Sequence, residues 1–150
     1  MIMDILASAI GAFGGTAGFC LLQHSPKRTI LPAATTGMIG FTIYVVLCRY
    51  MGASDMLGNF AATVAVTVIC EIQARVMRLP STVFLLSSLV TLVPGYSFYS
   101  AMLALVQDNG ELAAAQGMAA VQIVAAIAVG AAVTSVCFRT LTAHRQKKHA

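Results

Sequence analysis

The sequence predicts an all-α, polytopic integral membrane protein of about five transmembrane helices, with the fourth broken at Pro94-Gly95. Three observations predict it. Hydrophobic residues make up 59% of the 150 residues and charged residues 9%, against about 45–50% apolar and roughly 25% charged in a soluble domain. Mean hydropathy is +0.86. The apolar residues fall into five runs, each close to the roughly 20 residues that cross a bilayer, separated by short polar turns. A soluble fold this small could not withdraw so much apolar surface from water, and so few charges would leave its exterior nearly bare. A soluble enzyme, a nucleic-acid-binding domain and a disordered tail are therefore excluded classes, and no nucleic-acid partner is expected. Lipid is the solvent that suits such an exterior.

The first run covers about 2–22 and stops at Gln23-His-Ser-Pro-Lys-Arg. Asp4 stands where a signal peptide would carry a basic residue, so this run reads as a retained helix and not a cleaved leader. The second covers 30–48 and closes at Arg49 and Gly52. The third covers 56–74, runs into Arg75 and Arg78, and halts before Pro80. The fourth covers 81–106, with Pro94-Gly95 inside it. Gln107-Asp-Asn-Gly-Glu is a turn by composition. The fifth covers 112–138, and a basic tail follows at 139–150. The connections are too short for a soluble domain, so 1–150 reads as a single transmembrane domain.

Five spans place alternate turns on opposite sides. One side receives Lys27, Arg28, Arg75, Arg78, Arg139, Arg145, Lys147 and Lys148; the other receives Arg49 alone, with Asp4, Asp55, Asp108 and Glu111. Basic residues near span ends stay in the cytoplasm, which predicts an outside N-terminus and a cytoplasmic C-terminus.

The first span carries Gly11, Gly14, Gly15 and Gly18, two overlapping GxxxG patterns. Small residues four apart let helices approach closely where lipid removes the hydrophobic drive. The spacing is compatible with packing inside the subunit and with an interface to a second one. Ala113 to Gly117 and Ala126 to Gly130 repeat the pattern more weakly. In the third span Asn59 is expected to hydrogen-bond to another helix. Glu71 lies four residues before Arg75, the better orientation for a helical ion pair. It reads as an interfacial salt bridge or as a gating or proton-coupling carboxylate.

The fourth span is the most informative. Pro94 removes a donor and clashes with the preceding turn, and Gly95 relaxes the next position. Backbone groups freed there must find protein, water or ligand, because lipid offers none. Thr91, Tyr96, Ser97 and Tyr99 crowd polar atoms around the break. Such breaks build transporter substrate sites, although a kink without a ligand would share the same residues. Substrate-binding or gating candidates are thus Thr91, Pro94, Gly95, Tyr96, Tyr99 and Glu71. No catalytic constellation is present. His24, His144 and His149 fall in connections or the tail, and Cys20, Cys48, Cys70 and Cys137 form no CxxC pair. No cofactor and no metal are expected.

Pro26-Lys-Arg before a span, Leu79-Pro-Ser-Thr-Val-Phe, and Leu92-Val-Pro-Gly-Tyr-Ser-Phe-Tyr-Ser-Ala-Met carry a resemblance. A proline–phenylalanine element at Pro80 and Phe84 and a PG-x-x-x-Y element at Pro94, Gly95 and Tyr99 resemble the threonine/serine exporter family. Within it they look like the small YjjB-type subunit of the split, two-component form. The resemblance implies a bacterial inner-membrane exporter that works with a larger membrane subunit of the same family. The implied substrate is a small amino or carboxylic acid, either threonine/serine or a dicarboxylate such as succinate. The alternatives are a non-transporting assembly or stabilising subunit, and a self-sufficient pore made from copies of this chain.

Overall fold

The computed structural model describes residues 2–147, without the side chains of 2, 4, 139 and 141–147. The described residues form helices and turns and no strand. The elements are α1 (Ile2–Leu22), α2 (Lys27–Tyr50), α3 (Asp55–Met77), α4 (Ser81–Leu89), a single 3₁₀ turn at Val90–Leu92, α5 (Gly95–Val106) and α6 (Gly110–Lys147). Among the described residues four helices are long and apolar enough to cross a membrane, and α4 with its 3₁₀ turn plus α5 meets the same length and composition as a pair bent by 51°.

Each boundary has a local cause. His24, Arg78 and Asp108 take positive φ just after α1, α3 and α5, and Gly52 does so after α2, the left-handed step that ends helices. Pro26 and Pro80 precede the first residues of α2 and α4. Pro32 lies in the second turn of α2 without ending it.

The fifth apolar run ends near 138 as a candidate span, and the helix that carries it, α6, runs further. It does not stop near 138 with the apolar run but continues to Lys147. Hydropathy falls at Arg139, yet nothing from there to Lys147 breaks a helix: the segment has neither glycine nor proline. The expected tail is therefore largely a helical extension. Its last residues, 148–150, and the side chains of its basic residues lie outside the described residues.

α2 and α3 pack side by side at the centre. α1 covers the far side of α2, α4 fills the groove between α2 and α3, and α6 lies against α3. Beyond the break the chain leaves this groove, and α5 packs on α6. The core centres on Phe84 of α4, fully buried among Cys20, Ala33, Val66, Cys70 and Ala74. Buried hydroxyls join the helices: Ser88 donates to the Ala33 carbonyl at 3.1 Å, and Gln73 donates to the Thr36 hydroxyl at 2.8 Å and the Pro32 carbonyl at 3.2 Å.

The glycines that permit close approach are not the ones in α1. A Cβ on Gly37 would strike the Thr16 hydroxyl, one on Gly40 would strike Val66, and one on Gly58 would strike Cys48. Gly130 sits against the Phe60 carbonyl, 3.3 Å from a Cβ position. Gly11, Gly14, Gly15 and Gly18 have no neighbour within 4 Å of such an atom. Ala12, Thr16 and Cys20 of α1 are the residues buried against the bundle, and at 100° per residue Gly11, Gly14 and Gly18 fall on the opposite face. Packing inside the subunit is therefore not what these glycines do.

Candidate functional site

The break in the fourth span is built as an inverse γ-turn. Pro94 has φ −76° and ψ 62°, the geometry of that turn, and the Gly95 amide donates back to the Val93 carbonyl at 2.7 Å. α5 then begins with Phe98 donating to the Pro94 carbonyl at 3.1 Å. α5 starts without a side-chain cap, so the Tyr96 and Ser97 amides lie where a helix start leaves donors over, and the break interrupts the ladder at the Thr91 and Leu92 carbonyls. These are the groups a helix break exposes.

They surround a cavity of about 280 Å³. Its wall is the segment Thr91 to Ser97, with Phe41 and Tyr44 from α2, Asp55 and Asn59 from α3, and Ile123 from α6. The cavity forms because α4 hugs α2 and α3 while α5 diverges to α6. Leu92 plugs the floor, 3.5 Å from a Cβ position on Gly40. Tyr44 lies six residues inside the end of α2, about 9 Å at 1.5 Å per residue, and Asp55 opens α3. The cavity therefore reaches from mid-span toward the α2–α3 turn.

Polar contacts line it. The Tyr44 hydroxyl donates to Asp55 Oδ1 at 3.1 Å. Asn59, only 3% exposed, donates from Nδ2 to the Asp55 carbonyl on its own helix at 2.8 Å. The cross-helix role expected of Asn59 is thus replaced by a local one, because Asp55 lies one turn earlier on the same face. Asn59 also borders the cavity.

Of the residues singled out from sequence, Thr91, Pro94, Gly95 and Tyr96 meet at this cavity. Tyr99 does not line it and is exposed on α5. Glu71 does not line it either: sixteen residues beyond Asp55 on α3, it lies about 24 Å further along the helix. There Glu71 Oε2 pairs with Arg75 Nη2 at 3.6 Å. Arg75 also donates to the Glu71 carbonyl at 3.2 Å, and its guanidinium stacks over the Phe138 ring at 5.0 Å. Phe41, Tyr44, Asp55 and Asn59 were not picked out as site residues. Their only sequence signal was a tyrosine near the end of one span and polar residues opening the next.

Apolar helices around a broken span define a multi-pass membrane protein with a cavity at the break. The chain belongs to the threonine/serine exporter family: the family model described as Threonine/Serine exporter, ThrE, matches residues 8–137. Membership ties it to membrane export. Comparison with curated proteins and with solved structures returned no match.

Proposed function

We propose that this chain is the small subunit of a two-component bacterial inner-membrane exporter of a small amino acid or carboxylic acid, and that the cavity at Pro94-Gly95 lies on the substrate path. One observation carries the reading. The segment Thr91 to Ser97 at the break lines a cavity together with Tyr44, Asp55 and Asn59, and does not pack only against another helix. A scaffold would leave such groups against a neighbour, whereas a transporter presents them to its cargo. The larger subunit of the same family is placed on the glycine face of α1, which the bundle leaves uncovered.

The test compares efflux and membrane abundance in cells carrying the larger subunit. Proline inside a helix costs roughly 3 kcal/mol and glycine about 1 kcal/mol relative to alanine, so Pro94→Ala/Gly95→Ala should insert normally. Efflux should fall at least tenfold at equal abundance. Unchanged efflux would make the break a packing feature and move the substrate path to the larger subunit. Without that subunit this chain should give no efflux, and robust export by it alone would reject the two-component reading.

Orientation has its own test. The charge segregation places the turns at 51–54 and 107–109 outside and that at 23–26 in the cytoplasm. In a chain cleared of its four cysteines, a cysteine at Asn109 should react with an impermeant thiol reagent in intact cells. One at Ser25 should react only after permeabilisation, and the reverse pattern would overturn the topology.

A further inference from the structure

Two kinds of group line the cavity, hydrogen-bond donors and an acidic side chain. α5 begins there without a side-chain cap, its first turn carrying the Tyr96 and Ser97 amides. This is the positive end of a helix dipole and suits a carboxylate. Asp55 lines the same cavity; exposed in the first turn of α3, it forms no ion pair among the described residues and accepts from the Tyr44 hydroxyl, with the Cys48 thiol as a second hydrogen-bonding neighbour. A carboxylate has about four acceptor positions, so these two neighbours leave room for a further donor. No lysine, arginine or histidine lines the cavity. Asn59, 3% exposed, also borders the cavity. Asp55 is therefore the charged side chain in the cavity lining.

We propose that Asp55 is the ammonium-binding, specificity-determining residue of this site, held by Tyr44 when the cavity is empty and released to the amino group of a zwitterionic cargo. This rests on the reading that the cavity is the substrate path, and it decides between the two acid types that reading leaves open. A zwitterion finds a donor pole for its carboxylate and an acceptor pole for its ammonium. A dicarboxylate would set its second negative group against Asp55, and like charges at such range repel. The volume of about 280 Å³ lies just below the ligand-pocket range of about 300–1,000 Å³, which limits the cargo to a small one.

The experiment uses the complete two-subunit complex in proteoliposomes with two probes, L-serine and L-glycerate. They share a carboxylate and a hydroxymethyl group and differ in an amino against a hydroxyl group. Wild type should favour serine at least tenfold. Asp55→Asn should lose that preference by slowing serine at least tenfold while changing glycerate by less than threefold, and Asp55→Glu should retain part of it. Tyr44→Phe removes a resting partner of Asp55 and should lower the KM for serine a few-fold, which a purely structural tyrosine would not do. Equal effects of Asp55→Asn on both probes, or none on either, would overturn the assignment. If Pro94→Ala/Gly95→Ala still abolishes transport in that case, the path through the cavity stands and only the role of Asp55 falls. Equal transport of both probes by wild type would also overturn it.

Discussion

Replacing Arg75 by alanine should lower the amount of folded protein in the membrane by more than tenfold, and adding Glu71→Gln in the same chain should restore most of it. Glu71 is 6% exposed, and Arg75 is its ion-pair partner, 3.6 Å away on the next turn. Removing one member of a buried pair costs roughly 3–5 kcal/mol, because the other charge stays behind uncompensated. The Arg75 side chain is 40% exposed, so the pair is only partly desolvated and about 2 kcal/mol is the expected loss. A change of that size shifts a folded ratio by up to about 30-fold. The same arginine stacks on Phe138 and so ties α3 to α6. Glu71→Gln removes the stranded charge, which is why it should rescue. Membrane abundance and thermal aggregation in detergent are the readouts. Wild-type abundance for Arg75→Ala would reject the structural role. Loss of efflux in Glu71→Gln alone, at normal abundance, would return Glu71 to a gating role.

Gly37→Val and Gly40→Val should each be strongly destabilising, whereas Gly14→Val should leave the subunit folded and lose the larger partner. A side chain at 37 runs into Thr16, and one at 40 runs into Val66. Both neighbours are fully buried and β-branched, so their rotamers have little room to yield. Overpacking of this kind costs roughly 1–3 kcal/mol per site, and at Gly40 it would also displace Leu92 from the floor of the cavity. Position 14 has open space, so valine there disturbs nothing inside the subunit. Co-purification with the larger subunit separates the two classes. Gly14→Val at normal abundance with normal co-purification would show that the α1 face is not the interface. Normal abundance of Gly40→Val would contradict the helix spacing.

The same glycines mark where reading along the chain stops. GxxxG in α1 was the conspicuous motif, yet those residues point away from the bundle, and the helix contacts use Gly37, Gly40 and Gly58. Lipid and protein interior are equally apolar, so the spacing of small residues looks alike on a packed and an unpacked face. Only the three-dimensional arrangement assigns them.

By itself the sequence determined the helices and their order, the turn positions and the break at Pro94. Each depends on local properties: the length of an apolar run against a fixed bilayer thickness, and a proline that cannot donate wherever the helix goes. The tertiary structure alone decided what the break faces. Tyr44 and Asp55 come from adjacent helices, and they meet because α2 and α3 pack antiparallel across a short turn, a close crossing that Gly58 allows beneath Tyr44 and Cys48. α5 swings away to α6, so the same crossing borders an open cavity. Glu71 fell on the far side of this division. Its charge made it a candidate for the site, and its position about 24 Å along α3, beside Arg75, made it part of the frame.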